Sequence, residues 1–234
     1  TLLESLEKHL ELPGAPRRIE CYDISNFQGS LAVGSMVSFE DGKPVRDRYR
    51  KYRIQTVVGA DDFRCMKEVL ERRLERGLKD GDLPDLLLVD GGKGQLGIAV
   101  KVLKTLGLIG LPVASLAKER RSKRTTERVF LPGRRNPLAL AQDTPESLYL
   151  QRIRDEAHRF AIRYHRELRR RDAMKTGLED IPGIGKKRQQ ALLDRFRTLE
   201  KIRGASTEEL SEVIGKKLAL ALQDALRKRP AVKN

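Results

Sequence analysis

Residues 84–95 read Pro-Asp-Leu-Leu-Leu-Val-Asp-Gly-Gly-Lys-Gly-Gln. The apolar run from Leu86 to Val89 is continuous, as in a strand that is buried on both faces of a parallel sheet. It ends in the carboxylate of Asp90, and the glycines that follow turn the chain into a helix that we predict over 95–106. This stretch therefore predicts the centre of an α/β domain, with a buried parallel strand, a tight turn and a helix.

Four more strands are predicted around this one. The first ends in the carboxylate of Asp23, and the Asp41-Gly42 pair indicates a tight hairpin between the second and the third. The segment 61–76 has acidic residues at its start and apolar residues at helical spacing, which predicts a helix. The four strands are expected at 18–23, 31–39, 45–54 and 111–117. The order β-β-β-α-β-α-β predicts a mixed five-stranded sheet with flanking helices.

The remainder of the chain combines a basic segment with helices. Residues 118–135 are rich in Lys and Arg and contain Pro and Gly, which indicates an exposed hairpin or loop. An apolar stripe predicts a helix over 145–171 that packs on the sheet and closes a first domain spanning 1–172. After a linker that includes 169–177, a small all-α domain is expected at 178–230, with two helical hairpins about 30 residues apart.

The charge of the chain indicates its partner. The formal net charge is +15, from 48 Lys and Arg against 33 Asp and Glu. A basic protein attracts polyanions, so nucleic acid is the leading partner, although a solubilising surface or a ribosomal-type structural role gives the same balance. The two cysteines lack zinc-site spacing and no apolar run could span a bilayer, so we expect no membrane and a cytoplasmic location. Because the chain begins with Thr1 inside an amphipathic segment, we expect a fragment of a longer protein.

Two strand-end carboxylates are candidates for a metal site. Adjacent parallel strands would bring Asp23 and Asp90 to one edge of the sheet, and oxygen ligands suit Mg²⁺ or Mn²⁺. The alternative is that each aspartate only caps the turn after its strand. Asp62 starts a helix, where its interaction with the helix dipole is a sufficient reason for its presence. His158 and His165 lie seven residues apart on one predicted helix, and spacing does not choose between them as an acid-base group.

Two glycine-containing segments are candidates for phosphate contacts. The loop after Asp90 places Lys93 among glycines but matches no nucleotide-binding motif, so the lysine is interpreted as a phosphate-directed charge. The segment 178–187 predicts a hairpin that presents glycine N–H groups to a DNA phosphate without sequence preference, unless it is a turn used only for packing. Its predicted DNA contacts are Gly183, Gly185, Lys186 and Lys187.

These motifs together resemble the carboxy-terminal half of the UvrC family of excinucleases, which acts in bacterial nucleotide excision repair. The matching stretches follow one another over nearly the whole chain and lie at 19–25, 49–52, 59–63, 88–95, 154–161 and 181–185. The chain departs from the family at Asn26, where the family often has a histidine, and the second hairpin, at 213–217, lacks the Pro-Gly of the first. The departure at 213–217 puts a phosphate contact of that hairpin in doubt.

The resemblance implies an RNase H-like endonuclease domain followed by a tandem helix-hairpin-helix domain. It implies the incision on the 5′ side of a lesion, with Asp23, Asp90 and His158 as the catalytic set and Asp62 as a further carboxylate. His165 is then left with a structural or DNA-facing role. The expected partners are damaged duplex DNA and the excinuclease protein UvrB. The segment that docks on UvrB is expected to be missing here, as is the nuclease domain for the 3′ incision.

A metal ion between Asp23 and Asp90 is expected to activate the attacking water, with His158 assisting proton transfer. The basic segment is expected to hold the flanking DNA through Arg120, Arg121, Lys123 and Arg124. Two alternatives remain open. One is a non-catalytic DNA-binding scaffold, and the other is a structure-specific nuclease of the same fold from another pathway.

Overall fold

The computed structural model describes residues 1–25, 32–57, 61–118, 127–141, 143–178, 181–196 and 199–228. At 127, 165, 169–177 and 228 it describes the backbone alone. The chain divides into two compact units, Thr1–His165 and Arg166–Asn234. In the described part, no helix is long and apolar enough to cross a membrane.

The first unit is built on an eight-stranded sheet with helices on both faces. Its elements in chain order are α1 (Leu2–Leu10), β1 (Arg18–Ser25), β2 (Val33–Glu40), β3 (Lys43–Pro44), a 3-10 turn (Arg46–Arg48), β4 (Arg50–Arg53), α2 (Asp62–Asp80), β5 (Leu86–Asp90), α3 (Lys93–Thr105), β6 (Val113–Lys118), β7 (Glu127–Phe130), β8 (Leu138–Ala139) and α4 (Pro145–Leu178). The strand order is β3-β2-β1-β5-β6-β7-β8, and β4 also pairs with β2.

The centre of the sheet is parallel, as the apolar run in β5 predicts. β5 lies between β1 and β6 and is parallel to both, whereas β2 pairs with β1 antiparallel. Leu86 and Leu88 are buried in a core with α1 and α4, while Leu87 and Val89 are buried in a core with α2 and α3. Because successive side chains of a strand point to opposite faces, a strand covered on both faces has to be apolar throughout. The predicted fold class is therefore confirmed.

The sheet has more strands than predicted, for two reasons. The 3-10 turn takes up the first half of the third strand expected over 45–54, so β4 is the only strand within it and β3 is a separate strand before it; Arg48 in this turn forms ion pairs with Glu40 and Asp82. The predicted hairpin within 118–135 is present but is part of the sheet rather than exposed, because β7 pairs antiparallel with β6 and buries Val129 completely. Val129 and Leu131 are buried at alternate positions, as the geometry of a strand requires, but the arginines nearby in the sequence mask that pattern.

Helix α4 is longer than predicted. It runs from Pro145 to Leu178, so the segment 169–177, expected to be a linker, is helical. The segment before Gly177 contains neither Pro nor Gly and consists mainly of good helix formers such as Arg, Lys, Ala and Met, so nothing in it ends the helix. The boundary between the two compact units falls within α4.

The second unit contains two related hairpins. Besides the end of α4, its helices are α5 (Lys186–Phe196), α6 (Leu199–Gly204), α7 (Thr207–Ile214) and α8 (Lys216–Lys228). The tetrapeptide Ile-Gly-Lys-Lys occurs at 184–187 and again at 214–217, and each copy leads into a helix that begins at its first lysine. Both isoleucines are buried in one apolar cluster. The predicted repeat is therefore a structural repeat, with the hairpins as equivalent parts.

The first hairpin depends on Gly183, which leads to a stability prediction. Its φ of +88° is disfavoured for residues with a Cβ, and a Cβ there would lie 2.7 Å from Leu218 Cδ2. We expect Gly183→Ala to destabilise the second unit by about 1–3 kcal/mol. Urea unfolding, with amide exchange followed in α5 and α8, measures this loss. Gly185→Ala is the control because Gly185 has no heavy atom within 4 Å of an added Cβ. Equal stability of the two variants would contradict the argument.

Candidate active site

Asp23 and Asp90 lie side by side at the carboxyl ends of two parallel strands. β1 and β5 are paired in register up to Tyr22 and Val89, so the next residue on each strand is one of the two aspartates. Helix α4 brings His158 to the same place. One ligand atom from each of Asp23, Asp90 and His158 lies within 4.8 Å of the others. The structure thus brings together the three residues that the resemblance implied as the catalytic set.

A hydrogen bond joins the histidine to the first aspartate. His158 Nδ1 lies 3.1 Å from Asp23 Oδ2, and the Asp23 side chain is 8% exposed whereas that of His158 is 57% exposed. When Asp23 is ionised it can only accept, so Nδ1 carries the proton and Nε2 is the ring nitrogen left for the reacting groups. The buried Ser35 Oγ donates to the carbonyl oxygen of Ala157 at 3.2 Å and holds α4 against the sheet at this point. The sequence contains no local signal for this contact, because 122 positions separate the two residues.

Burial raises the pKa of Asp23. Desolvation is the largest cause, the nearby charge of Asp62 acts in the same direction, and the charge and hydrogen bond of His158 oppose it. Because the folded state raises this pKa, the ionised carboxyl destabilises the fold at neutral pH. The cost disappears as the pH falls below the pKa of the unfolded chain.

A pH-dependent stability prediction follows. In the absence of divalent ions, we expect Asp23→Asn to raise the melting temperature at neutral pH, because it removes a buried charge and keeps an acceptor for His158. The gain should shrink as the pH is lowered through the raised pKa of Asp23, where the carboxyl becomes neutral. Thermal unfolding in EDTA over a pH series measures it. A lower melting temperature for the variant at neutral pH would contradict the sign of the effect.

Asp62 lies close to this group but is not one of its three members. It is the first residue of α2, and Asp61 before it caps the helix by accepting a hydrogen bond from the Arg64 N–H. The structural role at a helix start, which the sequence already indicated, applies to both aspartates. The effect of Asp62 on Asp23 shows in addition that its charge reaches the site.

The glycine loop after Asp90 makes a compact turn into α3. Gly91 N–H donates to the carbonyl oxygen of Leu116, and Gly92 N–H donates to Gln95 Oε1. Gly91 has a φ of +142°, and a Cβ there would lie 2.6 Å from the Gln95 side chain. Lys93 follows as the first residue of α3; it is exposed, and its Nζ donates to the carbonyl oxygen of Arg135.

The donor set fits a divalent cation. Oxygen ligands of a Mg²⁺-sized ion are separated by about 3 Å at adjacent positions and about 4.2 Å at opposite ones, so a group within 4.8 Å needs only small side-chain shifts. The two carboxylates supply the oxygen ligands that suit hard divalent cations such as Mg²⁺ and Mn²⁺, and the His158 imidazole lies beside them. The hydrogen bond between His158 and Asp23 would orient the Asp23 carboxylate, as hydrogen bonds to metal ligands generally do.

The predicted DNA contacts fall in different parts of the chain. Gly183, Gly185, Lys186 and Lys187 form the first hairpin of the second unit and the start of α5, and both lysines are exposed. Arg120, Arg121, Lys123, Arg124 and Asn26 lie outside the described residues. The backbone of His165 is helical, but its side chain is outside the described part.

Comparison with known proteins assigns the chain to a family. Residues 7–162 match the family model "UvrC RNAse H endonuclease domain", and residues 176–228 match the "SAM-like Helix-hairpin-helix tandem". The first match covers most of the first unit and includes all four predicted catalytic residues. The chain belongs to the UvrC family.

Relatives of this UvrC-type chain are similar over nearly its full length. It is 50% identical to the UvrABC system protein C of Syntrophotalea carbinolica over 229 residues, which cover 94% of this chain and 37% of that protein. It is 52% identical to the UvrABC system protein C of Geobacter metallireducens over 218 residues, which cover 90% of this chain and 36% of that protein. The chain thus spans little more than a third of the length of these relatives.

Solved structures show weaker likeness to the UvrC-type chain. Endonuclease V of Ciona intestinalis, in complex with an inosine-containing DNA, has a TM-score of 0.43 and 12% identity, and the match covers 70% of this chain and 97% of that one. Likeness at this level supports no statement about what this chain binds or cuts.

Proposed function

We propose that this chain is a divalent-metal-dependent DNA endonuclease that makes the incision on the 5′ side of a lesion in bacterial nucleotide excision repair. The observation that carries the proposal is the group of Asp23, Asp90 and His158 within 4.8 Å, in a chain of the UvrC endonuclease family. We further infer that damaged duplex DNA is the substrate and that the excinuclease protein UvrB is a partner in that reaction.

The chemistry divides among these residues. Asp23 and Asp90 would hold a Mg²⁺ or Mn²⁺ ion, which supplies charge stabilisation at the scissile phosphate and lowers the pKa of an attacking water. His158 is fixed by its Nδ1 contact with Asp23, so Nε2 is the atom that accepts or returns a proton at the reacting oxygen. The Asp23 carboxylate is buried, which limits the access of water to it and the freedom of its side chain.

DNA contacts outside this group serve positioning. Lys93 begins the helix that follows Asp90, so its charge lies beside the strand end that carries the site. Lys186 and Lys187 begin α5 directly after the hairpin glycines, where backbone N–H groups and lysine charges together suit a phosphate. We assign the same role to Arg120, Arg121, Lys123 and Arg124 on the strength of their charge.

The test of the proposed function is an incision assay on a duplex that carries a lesion and a nick on its 3′ side. Each strand end is labelled separately, so that the position of any new cut is read directly. We expect cutting on the 5′ side that requires Mg²⁺ or Mn²⁺ and stops with EDTA. Cutting that ignores the lesion, or that favours branched DNA or RNA–DNA hybrids, would contradict the repair assignment. DNA binding without cutting in any divalent ion would contradict the nuclease assignment.

The role of the first hairpin gives a prediction about salt. Each phosphate contact contributes about 0.9 to the slope of log affinity against log salt concentration, so Lys186→Gln with Lys187→Gln should reduce the slope by up to about 1.8. Fluorescence anisotropy with labelled duplex DNA at several salt concentrations measures it. The control replaces Lys101 and Lys104, two exposed lysines of α3, and removes the same charge. Equal changes of slope in the two double variants would show that only net charge matters.

A further inference from the structure

An exposed aromatic ring lies at the edge of the candidate active site. Phe63 follows Asp62 at the start of α2 and is 46% exposed. Its ring edge rests on Gly94, since a Cβ at Gly94 would lie 2.6 Å from Phe63 Cε1 and 2.9 Å from Cζ. Gly94 is the second residue of α3, four positions after Asp90. The ring therefore spans the starts of α2 and α3, and α3 is the helix that follows Asp90.

Neither Phe63 nor Gly94 is the residue that the stability of the fold alone would favour at its position. Burying a phenylalanine stabilises a fold, and among the phenylalanines of the described residues Phe63 alone is classed as exposed. A glycine in the first turn of α3 is a poorer helix former than alanine, and the φ of Gly94 is outside the positive range that would require glycine. The Cβ of an alanine at position 94 would collide with the Phe63 ring, which is the reason that glycine fits there. The chain thus seats an aromatic side chain beside the site while leaving almost half of it in solvent.

Basic residues flank the ring. Arg64 is the next residue of α2, with a side chain that is 78% exposed and pairs with Asp61. Lys93 precedes Gly94 on α3, is exposed and donates to the carbonyl oxygen of Arg135. An exposed aromatic ring with basic residues nearby is a combination that binds single-stranded nucleic acid, because a base stacks on the ring while the cations attract the neighbouring phosphates. Stacking of this kind tolerates any base, as every base has a π-face.

We infer that Phe63 is a stacking platform for an unpaired nucleobase of the DNA strand, next to the phosphate held at Asp23 and Asp90. The inference rests on the proposed function in taking DNA as the ligand, and it adds that a base beside the cut leaves the duplex stack. Removing the ring should weaken binding of single-stranded DNA roughly 5- to 100-fold.

The test uses the absence of tryptophan from the chain. Phe63→Trp introduces a single fluorophore at the platform, and the full chain is titrated with short oligothymidylate in EDTA, where no cutting occurs. Two controls are run beside it. One is an abasic strand of the same length, and the other is Ile109→Trp, which places the fluorophore at a 79% exposed position between α3 and β6.

We expect saturable quenching of the Phe63→Trp fluorescence by oligothymidylate, weak quenching by the abasic strand, and little change at Ile109→Trp. Phe63→Ala should lose affinity for oligothymidylate at a temperature where circular dichroism shows that the chain is still folded. Equal quenching by the abasic strand, or no quenching, would overturn the platform even if the wild-type chain cuts DNA normally. Base-dependent quenching in a chain that fails to cut would support the platform and contradict the nuclease proposal.

Discussion

Replacement of Asp90 by asparagine is expected to reduce the incision rate by at least about 10³-fold, while affinity for duplex DNA stays within about twofold. Asparagine keeps the shape of the side chain but removes one of two anionic ligands for the proposed ion, whose contribution to charge stabilisation is several kcal/mol. Single-turnover incision measures the rate, and anisotropy in EDTA measures the affinity. Mn²⁺ binding, followed by calorimetry, should weaken in parallel with the rate.

The matched control for this variant is Asp80→Asn. Asp80 lies at the other end of α2, is half exposed and pairs with Arg76, so its replacement changes the net charge equally without touching the site. We expect the control to cut at the wild-type rate. Retained incision by Asp90→Asn would remove Asp90 from the proposed metal site, and an equal loss in Asp80→Asn would show that the effect comes from charge or folding.

The pairing of the two aspartates could be predicted from the sequence because it follows from a regular property of parallel strands. An apolar run that ends in Asp90 and a strand that ends in Asp23 have only to be neighbours for both carboxylates to meet. The choice between His158 and His165 could not be predicted in this way, since residues seven apart on a helix share a face. That choice came from the resemblance. In the structure His158 lies with Asp23 and Asp90, where the contact of Ser35 with Ala157 holds α4 to the sheet, whereas the side chain of His165 is outside the described residues.

Other parts of the fold depend on contacts between distant residues. The 3-10 turn within the expected third strand contains Arg48, whose partners Glu40 and Asp82 are 8 and 34 positions away. The ring of Phe63 rests on Gly94, a glycine that is 31 positions away. Local patterns report burial and spacing but not such partners, so the sequence predicted the central sheet better than its edge and the carboxylates better than the aromatic ring beside them.

The buried ion pair between Glu20 and Arg73 is a further contact between residues that are distant in the sequence. Glu20 on β1 is completely buried, and its Oε1 accepts a hydrogen bond from Arg73 Nη2 of α2 at 2.6 Å. Its other oxygen, Oε2, accepts from the hydroxyl of Tyr22 at 2.5 Å. Arg73 is also buried and donates to the carbonyl oxygen of Asp82. The carboxylate is therefore fully desolvated, and its charge is compensated chiefly by one guanidinium.

Replacing Arg73 by methionine is expected to destabilise the first unit by about 3–5 kcal/mol, because it leaves the Glu20 carboxylate buried without a counter-charge. The double variant Glu20→Gln with Arg73→Met should recover a large part of that loss, since glutamine carries no charge and still accepts from Tyr22. Urea unfolding followed by circular dichroism gives the free energies for the wild type, both single variants and the double variant. If the double variant is as unstable as Arg73→Met alone, the loss comes from packing of the arginine stem and its contact with Asp82. Recovery in the double variant would instead show that the cost of Arg73→Met lies in the unpaired charge.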